Sequence, residues 1–207
     1  MTHIITAIIF DLGNVLIGWD ARRLYNRLLL DPQTVDSFLE QIRFSEWNAK
    51  QDAGRPFREG VAELTREFPH YADLIHAYDS HWEESLTGTH DETIEIVRKL
   101  KQAGWSLYLL SNFSVEKFEL IRSKHDFFAL FDDLVISGEH KTIKPDPAIF
   151  NITLQRIKRQ AQECLFIDDS LPNIETARNL GFQTIHYHSP VQLRIDLKKL
   201  AIKGIDE

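Results

Sequence analysis

The chain has 207 residues, 43% of them apolar, and carries a formal charge of −7 with a pI near 5.7. That acidity gives no general attraction for nucleic acid or an anionic membrane, and every apolar run falls short of the roughly 18 residues that a membrane-spanning helix needs. The one cysteine, Cys164, lies inside the apolar run Cys164-Leu165-Phe166-Ile167, so no intramolecular disulfide forms and a reducing, cytoplasmic setting is expected.

The first element is the apolar run Ile4–Phe10. No basic region precedes it and Asp11 ends it before any small-residue cleavage pattern, so it reads as a buried strand rather than a leader. Residues 20–85 then carry helical patterns over Ala21–Leu30, Thr34–Phe44, Phe57–Phe68 and Tyr71–Ser85, broken at Asp31-Pro32, Asp52-Ala53-Gly54 and Phe68-Pro69. Beyond them, strands are predicted at Leu107–Leu110, Leu134–Ile136, Leu165–Ile167 and, more weakly, Gln183–Tyr187, separated by amphipathic helices such as Thr93–Lys101 and Val191–Leu200. Strand and helix alternate, which predicts an α/β fold with a doubly wound parallel sheet and a Rossmann-like core. About a hundred residues separate the first two strands where a simple crossover unit needs roughly 30. The expected organisation is therefore a core of residues 1–19 and 86–207 with a small helical cap at 20–85.

In open parallel sheets, ligands bind beyond the carboxyl ends of the strands, and the polar residues of this sequence gather at those ends. Asp11 follows the first strand, Ser111-Asn112 the second, Lys144 comes after the third, and Asp168-Asp169 follow the fourth. Taken singly, each has a plain structural explanation: a turn aspartate before Gly13, a helix N-cap, a solvated lysine, a capping pair. Together they place a carboxylate, a hydroxyl, an ammonium and paired carboxylates in one cluster, the ingredients of phosphoryl transfer.

Phe10-Asp11-Leu12-Gly13-Asn14-Val15, Leu110-Ser111-Asn112, Lys144-Pro145-Asp146-Pro147 and Phe166-Ile167-Asp168-Asp169-Ser170 with Asn173 resemble, in order, the motifs of the haloacid dehalogenase-like superfamily. The helical insertion resembles its type-one cap, and the first motif resembles that of its sugar-phosphate phosphatase branch. The resemblance implies Asp11 as a nucleophile that becomes phosphorylated, with Lys144 and Mg²⁺ offsetting the repulsion between a carboxylate and a phosphate dianion. It implies a metal site of Asp11, the Gly13 carbonyl, Asp169 and Asp168, one of the last two directly, with Asn173 supporting them. Ser111, the Asn112 backbone N–H at a helix N-terminus, and Lys144 would bind phosphoryl oxygens.

One position departs from the pattern. Phosphatases of this superfamily usually carry a second aspartate two residues after the nucleophile, and here that residue is Gly13. Glycine transfers no proton, so the favoured expectation is a phosphatase of small metabolites with good leaving groups, such as sugar 1-phosphates and acyl phosphates. The alternatives are a dehalogenase, which needs no such proton but would find its haloacid repelled by Asp168-Asp169, and a catalytically idle domain that binds a ligand or partner. Trp47, Asn48, Asp52 and Arg55 form a candidate specificity loop, with Trp19 and Asp20 near the hinge, although packing between helices accounts equally well for Trp47. His186 and His188 share a strand face without a third ligand and read as strand-edge residues, and Lys198-Lys199 as a solvated helix face. The expected partner is a small phosphorylated molecule; the linear sequence carries no signal for its organic part or for oligomeric state.

Overall fold

The computed structural model describes residues 4–205. β1 (Ala7–Phe10) is buried along its whole length and leads through a tight loop to β2 (Ile17–Trp19). A helical insertion follows: α1 (Ala21–Leu29), α2 (Pro32–Gln41), α3 (Phe44–Asp52), α4 (Phe57–Glu67) and α5 (Ala72–Ser80). β3 (Leu86–Thr89) closes the insertion by pairing antiparallel with β2. The chain continues as α6 (Asp91–Gln102), β4 (Ser106–Ser111), α7 (Val115–Arg122), β5 (Asp133–Ile136) and α8 (Ser137–His140). It ends with α9 (Pro147–Ile157), β6 (Cys164–Asp168), α10 (Leu171–Asn179), β7 (Gln183–His186) and α11 (Pro190–Lys199).

The main sheet has the order β5-β4-β1-β6-β7 and is parallel throughout, the doubly wound fold that the alternation predicts. Its strands are continuous apolar runs because helices cover both faces. Ile8, Phe10, Leu107, Leu109, Leu165 and Ile167 point to the face covered by α6, α7 and α11, while Ala7, Ile9, Leu110 and Phe166 point to that covered by α9 and α10. Full burial of the Ile, Leu and Phe side chains among these stabilises the fold by about 1.5–3 kcal/mol each. The first of these cores runs on into the insertion, where Tyr25, Phe38, Phe44, Trp47, Phe57 and Tyr78 pack ring against ring; Tyr25 and Phe38 have centroids 4.8 Å apart. No helix among the described residues is long and apolar enough to cross a membrane.

From β1 the chain winds outward to β4 and β5, then crosses back to β6 and β7, so the winding reverses between β1 and β6. Phe10 is level with Leu109 on one side and Ile167 on the other, which brings Asp11, Leu110 and Asp168 out at the same height on the carboxyl edge. A crevice opens there because the helices on either side of a reversal lie on opposite faces of the sheet.

Several expected boundaries move. The helix expected over Thr34–Phe44 starts earlier, with the Asp31 carboxylate capping Thr34 N–H at 2.9 Å and Pro32 in the first turn, and stops at Gln41. Arg43 then turns left-handed at φ 51°, and a separate helix, α3, begins at Phe44. The Tyr71–Ser85 stretch divides into α5 and a 3₁₀ turn at Trp82–Ser85. The β2–β3 ribbon was not anticipated: Gly18 lets its strands approach, since a methyl group there would lie 2.0 Å from Thr87 Oγ1.

Candidate functional site

Asp11 stands one residue past β1, its backbone N–H still bonded to the Ile167 carbonyl at 2.9 Å. Its Oδ1 accepts from Leu12 N–H at 2.7 Å and from Lys144 Nζ at 2.8 Å. The Lys144 ammonium donates further to Asp168 Oδ2 at 2.6 Å and to the Leu110 carbonyl at 2.9 Å, so its donors are all engaged. Lys144 is therefore neither solvated nor free: its side chain is 1% exposed and bridges the ends of β1, β4 and β6. Burial disfavours its charge, but the two carboxylates outweigh that and hold the ammonium above its ordinary range.

What places Lys144 there is Asn112. Its amide donates to the Lys144 carbonyl at 2.8 Å and accepts the Lys144 N–H at 2.7 Å, clasping the loop before α9 as a neighbouring strand would. This corrects the expectation for Ser111-Asn112. The helix that follows begins only at Val115, with Ser114 at the N-cap position, so Ser111 and Asn112 lie at a strand end and not at a helix N-terminus. Ser111 is buried at the tip of β4, and Phe113 N–H is taken by Ser137 Oγ at 2.8 Å.

Asp168 closes β6 fully buried. Its Oδ1 accepts Ser170 N–H at 2.8 Å and Asn173 Nδ2 at 2.9 Å, so Asn173 does brace it from behind. Asp169 is half-buried, with its backbone carbonyl 2.9 Å from His186 Nε2. Asn14 exerts a small lowering effect on its carboxyl; the Asn14 Oδ1 is occupied by Trp19 N–H at 3.0 Å and its backbone is left-handed at φ 54°. Asn14 is a site residue that the sequence reading passed over. Its only signal was its place in the turn after Asp11, where asparagine tolerates that conformation.

Asp11, Asp168 and Asp169 each offer a carboxylate oxygen within 4.8 Å of the other two, the one such group of metal-type ligands among the described residues. Burial pushes the Asp11 carboxyl up to about 7; Lys144 pulls it back, while Asp168 and Asp169 raise it further. Burial, then Asp168, also raise Asp169. Three carboxylates share one ammonium, and the cluster lacks positive charge. Hard oxygen donors in that balance fit Mg²⁺, which binds through a few carboxylates and keeps several waters.

Between this cluster and the insertion lies a cavity of about 170 Å³. Gly13, Asn14 and Asn112 line its sheet side; Trp19, Phe57, Trp82 and Phe113 give it aromatic walls; Asn48, Asp52 and Lys117 are polar groups facing it. Of the candidate specificity residues, Asn48, Asp52 and Trp19 thus reach the cavity. Trp47 does not: it packs among the insertion helices and donates its Nε1–H to the Gly60 carbonyl at 2.9 Å. Arg55 turns away to Gln51 and Glu63, each at 2.6 Å, and Asp20 caps α1 through Arg22 N–H. The rings of His186 and His188 lie 4.1 Å apart, but no metal-type cluster among the described residues includes them.

The insertion is fastened to the strand ends. Ser137 Oγ donates to the Asp52 carbonyl at 2.6 Å, Glu116 accepts Phe57 N–H at 3.1 Å, and Lys117 Nζ reaches Asp79 Oδ1 at 2.5 Å. Lys117, missed in the sequence, sits buried on α7 with its ammonium 4.3 Å from the centre of the Phe57 ring.

A family model described as haloacid dehalogenase-like hydrolase matches residues 5–181. Drimenol cyclase drtB of Aspergillus calidoustus is 26% identical over 198 residues, covering 95% of this chain and 36% of that protein. Sesquiterpene phosphatase astK of Aspergillus oryzae is 29% identical over 105 residues, 51% of this chain and 54% of that one. The chain spans about a third and about half of the length of these two relatives. Among solved structures, HAD family enzyme bt-2542 of Bacteroides thetaiotaomicron aligns with a TM-score of 0.74 at 22% identity, over 90% of this chain and 95% of that one. The same enzyme in complex with magnesium and inorganic phosphate aligns with a TM-score of 0.70 at 24% identity, over 89% and 95%. With the family match extending over most of its length and the parallel sheet shared with that enzyme, the chain belongs to the haloacid dehalogenase-like hydrolases.

Proposed function

We propose that this chain is a Mg²⁺-dependent phosphatase of small phosphorylated metabolites, sugar phosphates among them, working through a phosphorylated Asp11. The observation that carries this reading is the buried cluster in which Asp11, Asp168 and Asp169 converge around a single ammonium. Asp11 is the nucleophile. Lys144 holds its carboxylate in one orientation and meets part of the charge of the incoming phosphoryl group. The Ser111 hydroxyl binds a phosphoryl oxygen at the tip of β4. Asp11, Asp168, Asp169 and the Gly13 carbonyl would hold Mg²⁺, which when bound supplies the remaining positive charge that a dianion needs beside three carboxylates. Asn173 and Asn112 keep Asp168 and Lys144 in place. The magnesium and phosphate bound by a structural relative support the choice of ion and of ligand.

Residues 20–85 serve as a cap that shields the phosphorylated aspartate from bulk water. The aromatic walls and amide groups of the cavity suit a ring-sized organic group. A buried, unpaired cysteine fits a cytoplasmic enzyme.

The test is phosphate release from a panel of sugar phosphates, acyl phosphates and alkyl phosphates. Release is expected from the wild type with Mg²⁺, and none after EDTA treatment or in Asp11→Asn. Halide release from haloacids that persists in EDTA would instead make the chain a dehalogenase, and no release from any substrate would make it a binding domain.

A further inference from the structure

The phosphatase reading leaves a proton unaccounted for. When Asp11 attacks phosphorus, the bond to the leaving oxygen breaks and an alkoxide must be protonated; when water later attacks the phosphorylated Asp11, that water must lose a proton. Both events occur on the face of phosphorus opposite Asp11, because attack and departure are in line. The cavity beneath the insertion reaches Gly13 and Asn14, two and three residues past Asp11, and so offers the space for that face. Gly13, at its floor, has no titratable group. Of the residues lining the cavity, Asp52 and Lys117 are the titratable ones. The Lys117 ammonium is tied to Asp79 through both the side chain and the backbone carbonyl, at 2.5 and 2.9 Å. Asp52 forms no ion pair among the described residues.

We infer that Asp52 is the proton carrier of this enzyme, giving its carboxyl proton to the leaving oxygen as Asp11 bonds to phosphorus. As carboxylate it then takes the proton of the water that splits the phosphorus–Asp11 bond. The cycle converts a phosphate ester and water to an alcohol and inorganic phosphate and returns Asp52 protonated. The inference rests on the phosphatase reading and deepens it.

The surroundings of Asp52 suit that work. Asn48, one turn earlier on α3, donates its Nδ2 to Asp52 Oδ2 at 3.0 Å and so fixes the carboxyl plane. Tyr78 of α5 donates to Asn48 Oδ1 at 3.3 Å and contributes no charge. On the core side, Ser114 offers a backbone N–H, Lys117 is neutralised by Asp79, and Glu116 accepts Phe57 N–H. Arg55, nearest in sequence, is held by Gln51 and Glu63. With no cation committed to it, burial pushes the Asp52 carboxyl up to about 7, the Ser114 N–H pulling it back. A group that titrates there exists in both forms near neutral pH, as a carrier that alternates between acid and base must.

This changes the expectation drawn from Gly13. A steep preference for good leaving groups becomes the property of an enzyme without Asp52, not of the native one. The test compares kcat/KM on 4-nitrophenyl phosphate, whose phenolate leaves unprotonated, with benzyl phosphate, a ring of similar size whose alkoxide does not. Asp52→Asn should lower the benzyl rate by about 10²–10⁴-fold and the nitrophenyl rate less than about fivefold. Gly13→Asp added to that variant should restore benzyl turnover, since a methyl group at Gly13 meets nothing within 4 Å. In the wild type the benzyl rate should fall above about pH 7 while the nitrophenyl rate does not, a measurement that stands even if the variant misfolds. Equal losses on both substrates, no loss on either, or parallel pH profiles in the wild type overturn the assignment. Wild-type protein with Mg²⁺ that releases phosphate neither from these esters nor from any sugar, acyl or alkyl phosphate of the panel overturns the phosphatase reading itself, and Asp52 with it.

Discussion

Replacing Lys144 with methionine keeps most of the side chain's volume and removes its charge. In the native protein Lys144 Nζ lies 2.8 Å from Asp11, 2.6 Å from Asp168 and 2.9 Å from the Leu110 carbonyl, with the two carboxylate side chains 10% and 0% exposed. Removing one partner of a buried ion pair costs about 3–5 kcal/mol, because the remaining charge has no water to return to. Near pH 8 without divalent ions, Lys144→Met should therefore lose about 3–5 kcal/mol in urea unfolding, and melt roughly 10 °C lower for a chain of this length. The penalty belongs to ionised carboxylates, so it is present at high pH and relieved as they take up protons. Near pH 5 it should shrink below about 2 kcal/mol. Mg²⁺ at pH 8 should recover part of the loss by binding the folded state alone. Phosphate release should drop by at least about 10²-fold. A loss below about 1 kcal/mol at pH 8, or the same loss at both pH values, would refute the picture of one ammonium compensating buried carboxylates.

Without divalent ions, the wild type should lose stability as pH rises from about 4 to about 7. Burial raises Asp11 and Asp52 from 3.8 to about 7, and raises Asp169 too, so across that window the folded state binds more protons than the unfolded one, worth several kcal/mol in all. Asp133, held low by Arg156, titrates below the window and does not mask the effect; urea midpoints at successive pH values that stay level would rule it out. Asn112→Leu removes both hydrogen bonds that clasp Lys144, and should cost about 2 kcal/mol in thermal unfolding and tenfold or more in kcat with little change in KM. Steady-state kinetics with an unaltered kcat would contradict that role. Gly54→Ala forces a side chain onto a residue at φ +91° and puts a methyl carbon 2.5 Å from the Gly138 carbonyl oxygen. It should destabilise the fold by more than about 1 kcal/mol, and an unchanged melting temperature would mean that insertion and core do not meet there.

The sheet and its cluster of polar residues were legible because they depend on local signals and one topological rule. Ile8-Ile9-Phe10 and Leu165-Phe166-Ile167 are runs that only a sheet covered on both faces buries, and parallel strands bring all their carboxyl ends to one edge. Asp11 and Asp168 meet for that reason alone. The clasp between Asn112 and Lys144 was not legible: its partners are 32 residues apart, and Ser111-Asn112 reads locally as a helix start. Nor was the break between α2 and α3, which turns on a left-handed Arg43 with no glycine or proline to mark it. The β2–β3 ribbon joins Ile17 to Thr89 through short strands containing Gly18 and Gly88, residues of low strand propensity whose pairing only the tertiary fold decides. Asn48 and Asp52 read as part of a loop, and α3 instead sets them four apart on one helix face. That this face, and not that of Trp47, looks onto the cavity follows from the ring packing of Trp47 with Phe57 and Tyr78.

The division of these groups between core and insertion has a consequence for the order of events. Asp11, Lys144, Asp168 at the end of β6 and Asp169 just past it are fixed by contacts that do not involve the insertion. Asp52 depends on it: the Asp52 carbonyl is held by Ser137 Oγ, and the same hydroxyl takes Phe113 N–H, one residue past the asparagine that clasps Lys144. With Asp52 as the proton carrier, nucleophile and carrier face each other only while the insertion sits on the strand ends. Under that proposal, parting the insertion from the strand ends would leave Asp11 with neither a proton donor for the leaving group nor a base for water. The second half of the proposed cycle, hydrolysis of phosphorylated Asp11, then depends on the contact that Ser137 makes with the Asp52 backbone.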